Sequence, residues 1–320
     1  MLMPAPSTPI SVVICSCDPR IDYLQRTLEG LRLQTLSVDQ WELLVVDNAS
    51  AIPIASRIDL SWHPRARCVE ESTPGLTRAR LRGIGETSSP LIIFVDDDNV
   101  LAPDYLASAL EIDRTHSFLG AWGGSVRGIF EIPPPNFCLR YAHMLAIREV
   151  ERDSWSNTIE NFDSSPCGAG QCVRRAVAEA WMAEVQTAPT SLQLGRIGGQ
   201  LGACEDGHLA LSSVKLGLGT GIFRRLSLDH LIPKQRLTIE YFTRLAAGHA
   251  YSYNLMRNLL GLPPLLNAQS LGQRLLMLYR QWRSTFPEDR AIEAAMAQAR
   301  ARSLRDLAAS QSSSDSNLRP

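Results

Sequence analysis

Through the first hundred residues, short unbroken apolar runs alternate with stretches whose apolar positions recur every three or four residues. ISVVICS (10–16), WELLVVD (41–47) and PLIIFV (90–95) have the pattern of buried strands. RIDYLQRTLEGLRLQ sets Leu24, Leu28 and Leu31 at helical spacing, LTRARLRGIGET predicts a second helix, and PDYLASALE a third. Strands alternating with helices predict a mainly parallel central sheet with helices on its faces. Each of the three runs ends in polar residues, and open parallel sheets bind ligands beyond the carboxyl ends of their strands.

After residue 115 the order is less regular. GAWGGSVRGIFE (120–131) predicts a strand leaving a Gly-rich bend, and IPPPNF (132–137) cannot continue a helix. CVRRAVAEAWMAEV (172–185) regains helical periodicity through Val173, Val177 and Trp181. Residues 238–309 read as mainly helical with a break at GLPPLLN, and SQSSSDSNLRP at the end is polar and small enough to be disordered. The expected organisation is an α/β domain over 9–245, a helical extension over 246–309 and a disordered tail over 310–320.

With 320 residues and 45% hydrophobic content the chain can bury a substantial core. Its 32 basic and 33 acidic residues nearly cancel, so no global field favours nucleic acid. The opening MLMPAPSTPI lacks the basic and apolar regions of a signal peptide, and no run reaches the about 18 apolar residues of a membrane span. Seven dispersed cysteines are expected to be reduced thiols, which points to the cytoplasm. Cys15-Ser16-Cys17 is too tight for zinc spacing and reads as a strand end.

Three local features carry chemistry. Asp96-Asp97-Asp98 follows a buried strand, where like charges are unfavourable unless solvent or a cation offsets them. Continued strand alternation would send Asp96 and Asp98 to one side, presenting two carboxylates to Mg2+ or Mn2+; the competing reading is a solvated turn that caps the next helix. Asp47 ends a second strand, suited to a base imide or ribose hydroxyl but equally to a turn. Among Arg78, Arg80 and Arg82, helix geometry lets one or two meet a phosphate; Arg80 is the candidate, with the others on a solvated face.

Together these residues resemble the inverting family 2 glycosyltransferases with a GT-A fold. VVICSCDPR is similar to the family's first strand, with Ser16, Cys17 and Asp18 in the varied positions; LLVVDNAS is similar to its Asp-Asn-x-Ser strand end. GLTRARLRG resembles G-L-x-x-A-R-N-x-G, and FVDDDNVLAPDYL resembles the D-x-D region. Cys15 stands where proline is usual and Leu81 where asparagine is frequent. Further along, SPCGAGQCVRRAV looks like the loop bordering the donor sugar, CEDGHLA like the Glu-Asp motif of the catalytic base, and LDHLIPKQRLT like a His-x-x-Pro-x-x-Arg segment.

The resemblance, covering about residues 9–245, implies a GT-A domain that moves a sugar from a nucleotide-sugar donor to an acceptor hydroxyl with inversion. It implies Asp206 as base with Glu205 orienting the loop or acceptor, and Asp98 with Asp96 and His230 as ligands of Mn2+ or Mg2+. Ser16, Cys17, Asp18 and Asp47 then border the donor, as do Arg80, Asp96 and Asp97, and beyond them Gly168, Gly170 and Arg236. The acceptor class is a glycan, a lipid-linked sugar or a small molecule. A nucleotidyltransferase is the enzymatic rival, and a non-catalytic sugar- or nucleotide-binding protein the other. Trp122 reads as buried packing before sugar stacking. In LGQRLLMLYRQWRSTF, Leu271, Leu275, Leu278 and Trp282 among Arg274, Arg280 and Arg283 suit core or homodimer packing first, then peripheral contact with the inner face of the membrane.

Overall fold

The apolar runs divide their side chains between two cores, as strands buried on both faces must. In this computed structural model, which describes residues 8–265 and 286–316, Ile10, Val12 and Ile14 enter one core while Val13 enters the other. Leu43 and Val45 oppose Leu44 and Val46 in the same way, and Ile93 and Val95 oppose Ile92 and Phe94.

The elements in chain order are β1 (Ile10–Ser16), α1 (Ile21–Arg32), β2 (Trp41–Asp47), β3 (Ala66–Glu70), α2 (Leu76–Glu86), β4 (Leu91–Val95), β5 (Asn99–Leu101) and α3 (Tyr105–Thr115). There follow β6 (Leu119–Phe130), α4 (Asn136–Arg140), β7 (Ser154–Ser156), β8 (Gln171–Arg174), α5 (Arg175–Thr187), α6 (Glu205–Lys215), β9 (Gly219–Ile232), α7 (Ile239–Leu259) and α8 (Pro287–Ser316). The sheet order is β3-β2-β1-β4-β8-β6-β9-β5, with β7 also on β9. Its N-terminal half, β3-β2-β1-β4, is wholly parallel. Antiparallel pairs enter with β8, β5 and β7, while β6 and β9 run parallel along most of their length.

Helices α1 and α3 cover one face, Leu24, Leu28 and Leu31 packing beside Tyr105, Leu106 and Leu110. Helices α2, α5 and α6 cover the other through Ala79, Ile84, Val177, Trp181 and Leu209. Each fully buried Leu, Ile or Val among them contributes about 1.5–3 kcal/mol. Trp122 is wholly buried, as its packing reading predicts.

Several expectations change. Strand β3 is absent from the pattern in the sequence because its face is only half-buried and ARCVE has no apolar run. The CVRR start of the predicted fourth helix is strand β8; the helix begins at Arg175, since β4 and β6 claim Cys172 and Val173 from both sides. Helix α7 runs unbroken across residue 245. Ile292 and Leu307 of α8 join cores containing Phe242, Leu255 and Leu211, so the helical extension shares its packing with the α/β region. Helix α8 continues to Ser316, into the stretch expected to be disordered from 310. The Leu271–Trp282 pattern lies outside the described residues. All seven cysteines are unpaired, and no helix among the described residues is long and apolar enough to cross a membrane.

Candidate active site

Strand pairing brings the distant motifs to one end of the sheet. Ser16 and Asp47 are opposite each other at the ends of β1 and β2. Strand β8 runs antiparallel to β4 with Gln171 opposite Phe94, so the 167–170 loop entering β8 lies where the acid triplet leaves β4. On the far side Asn99 of β5 pairs with His230 of β9.

Strand periodicity ends at Val95, which overturns the expectation that Asp96 and Asp98 share a side by alternation. The triplet forms a turn closed by Asn99 N–H donating to Asp96 O at 3.1 Å. Asp97 accepts a hydrogen bond from the Ser16 hydroxyl. Asp98 takes Arg236 Nη1 at 2.9 Å on Oδ2 and Asn99 Nδ2 at 3.1 Å on Oδ1. The three acids therefore have unlike environments. Burial and the neighbouring Asp98 push Asp97 up to about 7, against the Ser16 hydrogen bond. Burial, then Asp98, likewise raises Asp96. For Asp98 burial alone would raise the carboxyl, but the neighbouring His230 and the Arg236 guanidinium outweigh it and hold it well below the usual range.

His230 Nδ1 lies 2.9 Å from Leu145 O, which can only accept, so Nδ1 carries the hydrogen. Nε2 is left facing Asp98 Oδ2 at 3.5 Å and Arg236 Nη1 at 3.3 Å. An imidazole oriented through a carbonyl, beside a carboxylate oxygen, is the usual outer-shell arrangement of a metal-binding histidine. Asp98 and His230 thus fit a hard cation as a pair. Among the described residues no three His, Cys, Asp or Glu side chains gather to hold a metal, so Asp96 does not complete a trio with them. Mg2+ and Mn2+ sites commonly use one or two protein ligands plus substrate phosphates.

On the other side of the triplet, α6 opens with Glu205 and Asp206. Asp206 Oδ2 accepts from Gly168 N–H at 2.6 Å and Oδ1 from Gly207 N–H at 2.8 Å, while Gln171 Nε2 donates to its carbonyl at 2.9 Å. Gly168 has no room for a side chain: a Cβ there would lie 2.6 Å from Arg80 Nη2 and 3.3 Å from Asp206 Cβ. Gly170 holds φ +69°, and its carbonyl accepts from Tyr105 Oη at 2.6 Å.

Arg80 departs from its expected place. Its side chain is 2% exposed, 3.8 Å from Glu205 and 5.1 Å from the Phe94 ring centroid. Enclosed in this way it balances Glu205 and Asp96 beneath the site, and a direct contact with a donor phosphate is not what this geometry offers. Burial, opposed by Arg80, pushes Glu205 up to about 7. Arg82 pairs with Glu86 at 2.9 Å on the surface and Arg78 is exposed, as a solvated face requires.

Asp47 Oδ1 and Oδ2 accept from Ser50 N–H and Ile54 N–H at 3.1 and 2.8 Å, so the carboxylate also builds its own turn. Asp18 Oδ1 accepts from Ala51 N–H at 2.8 Å, tying the β1 end to that turn, and Cys17 is exposed beside it.

The family model described as glycosyl transferase family 2 matches residues 11–172, half of the chain. The chain belongs to glycosyl transferase family 2. Like other members it is a glycosyltransferase, and its fold is similar to that of solved enzymes. The mannosyltransferase PcManGT from Pyrobaculum calidifontis, in complex with GDP-Man and Mn2+, superposes with a TM-score of 0.54 at 16% identity, over 95% of this chain and 76% of that one. S. aureus TarS 1–349 in complex with UDP-GlcNAc gives 0.50 at 13% identity, over 91% of this chain and 81% of that one. S. aureus TarS itself gives 0.50 at 14% identity; 79% of this chain matches 43% of that one, less than half its length. No curated protein matches the chain.

Within this glycosyltransferase the structure adds residues that the motif reading passed over. Asn48 is buried and donates to Glu71 O and Thr73 O at 3.1 and 2.8 Å while accepting from Gly75 N–H at 2.7 Å, joining β2 to the start of α2. Gln171 holds the carbonyl of Asp206. Both sit inside quoted motifs, LLVVDNAS and SPCGAGQC, where the signal was present. Arg196, whose charge acts on Asp96, Asp98 and Glu205, and His249, which senses Asp206, come from a loop and a helix with no motif.

Proposed function

We propose that this glycosyltransferase moves a sugar from a nucleoside-diphosphate donor to an acceptor hydroxyl with inversion, Asp206 acting as general base. The observation that carries the reading is the attachment of Asp206 to Gly168 N–H at 2.6 Å, which fixes its carboxylate across from the acid turn and beside the loop entering β8.

In this reading the acceptor hydroxyl attacks the anomeric carbon from the face opposite the diphosphate and gives its proton to Asp206, as the carbon–diphosphate bond breaks and its electrons leave with the diphosphate. Two backbone N–H groups orient the carboxylate so that it points to one place. Glu205, facing Arg80 at 3.8 Å in the interior, keeps the first turn of α6 seated. Asp98 and His230 would hold Mn2+ or Mg2+, which when bound supplies positive charge to the departing diphosphate. Arg236 faces the same anion, and Asp47, Ser16 and Asp18 form the floor beside the nucleoside.

A thermal-shift panel of nucleoside diphosphates with and without Mn2+, followed by turnover of Asp206→Asn, tests this. The variant is expected to keep donor binding and to lose turnover by about 10²–10⁴-fold. Full turnover in the variant refutes Asp206 as base, and a panel with no nucleotide response refutes the donor class.

A further inference from the structure

We propose that Arg236 occupies the place of the divalent cation in the donor-free protein and leaves it for the donor's diphosphate when metal and donor bind. The proposal rests on the metal-dependent reading above. Asp98 Oδ2 and His230 Nε2 approach each other to 3.5 Å with lone pairs facing, an arrangement that needs a positive group between or beside them. One atom, Arg236 Nη1, meets both, at 2.9 and 3.3 Å. The other oxygen of Asp98 is committed to Asn99, and Nδ1 of His230 to Leu145 O, so the two free valences of the pair converge on the guanidinium alone.

The direction of approach makes exchange feasible. Asp98 and His230 are 7% and 9% exposed, whereas the Arg236 side chain is 22% exposed and comes from the short turn 234–236 between β9 and α7. It enters from the open side and can leave by it. A metal ion taking Oδ2 and Nε2 must displace Nη1, and the displaced guanidinium then loses the ion pair with Asp98 Oδ2 that it makes at 2.9 Å. A diphosphate supplies a replacement anion and further ligands for the metal at once. Metal alone therefore competes with Arg236, while metal and nucleotide favour each other, by equal factors because the coupling is reciprocal.

The test is Mn2+ binding to the full chain, read from the EPR signal of free Mn2+, with no nucleotide and then with UDP or GDP. Wild type is expected to bind Mn2+ weakly alone and about tenfold or more tightly with the matching nucleotide. Arg236→Gln is expected to bind Mn2+ alone about tenfold more tightly than wild type and to show little further gain from nucleotide. Arg236→Met provides the same comparison if the glutamine variant does not fold, and His230→Gln should abolish Mn2+ binding in either background. If wild type responds to nucleotide but both Arg236 variants bind Mn2+ alone no better than wild type, the exchange is wrong and the metal reading stands. If wild type binds no Mn2+ even with nucleotide, the metal reading itself fails and the exchange with it.

Discussion

Arg80 of α2 and Glu205 of α6 face each other at 3.8 Å in the interior, with 2% and 5% of their side chains exposed. The separation exceeds a hydrogen bond, and Arg80 Nη1 and Glu205 Oε2 each lack a hydrogen-bond partner. The pair is therefore held by charge and enclosure. It lies directly beneath Gly168, whose N–H carries the proposed base.

Removing one partner should expose that dependence. Arg80→Met leaves Glu205 buried without its nearest counter-charge and is expected to cost about 3–5 kcal/mol in chemical denaturation at pH above about 7, where Glu205 is ionised in the wild type. The double variant Arg80→Met/Glu205→Gln should recover part of the loss, because Glu205 then no longer stands as a buried charge without its partner, while Asp96 still lacks Arg80.

Glu205 also sets a pH dependence. Its carboxyl is pushed up from 4.5 to about 7, so the folded chain holds a proton that the unfolded chain releases. The stabilisation is whole below about 4.5 and is lost as pH rises through about 7. Glu205→Gln should remove this slope, and the difference between wild type and variant across the window is expected to be at most about 3 kcal/mol in urea titrations at successive pH values.

At Gly168 the expected effect is on turnover. A methyl group there meets Arg80 Nη2 at 2.6 Å and Asp206 Cβ at 3.3 Å, so the loop or the carboxylate must shift. Gly168→Ala should lower kcat by about 100-fold, since displacement of a catalytic group by about 1 Å has that consequence. Donor affinity, measured by calorimetry, should change far less.

Helix α6 is anchored from behind by a chain of polar contacts that runs from the buried Trp181 and His208 out to the surface at Lys215. Trp181 Nε1 donates to His208 Nδ1 at 3.0 Å, His208 Nε2 meets Glu184 Oε1 at 3.0 Å, and Lys215 Nζ closes on Glu184 at 2.7 Å. His208→Leu strands the indole N–H and is expected to cost about 1–3 kcal/mol. Trp181→Phe in addition should add little further, which a double-variant cycle by thermal denaturation will read.

Local pattern placed most of the strands and helices that hold the site: short apolar runs such as LIIFV bounded by turn residues suit strands buried on both faces, and Leu24, Leu28 and Leu31 mark one helix face. The acid triplet and Asp47 stand out in the sequence as charged groups that end apolar strands, whereas Asp206, His230 and Arg236 were named through the resemblance to family 2 glycosyltransferases. Sequence left open which of these groups meet. Strand order alone sets 167–170 beside Asp96–Asp98 and pairs Asn99 with His230, and no spacing along the chain encodes that adjacency. Enclosure decided the rest: it set Arg80, the arginine of α2 expected to meet a phosphate, opposite Glu205, and it turned three chemically identical aspartates into one raised carboxyl, one pushed up to about 7 and one strongly depressed. A residue's charge state depends on the dielectric and the partners around it, and those exist only once the chain has folded.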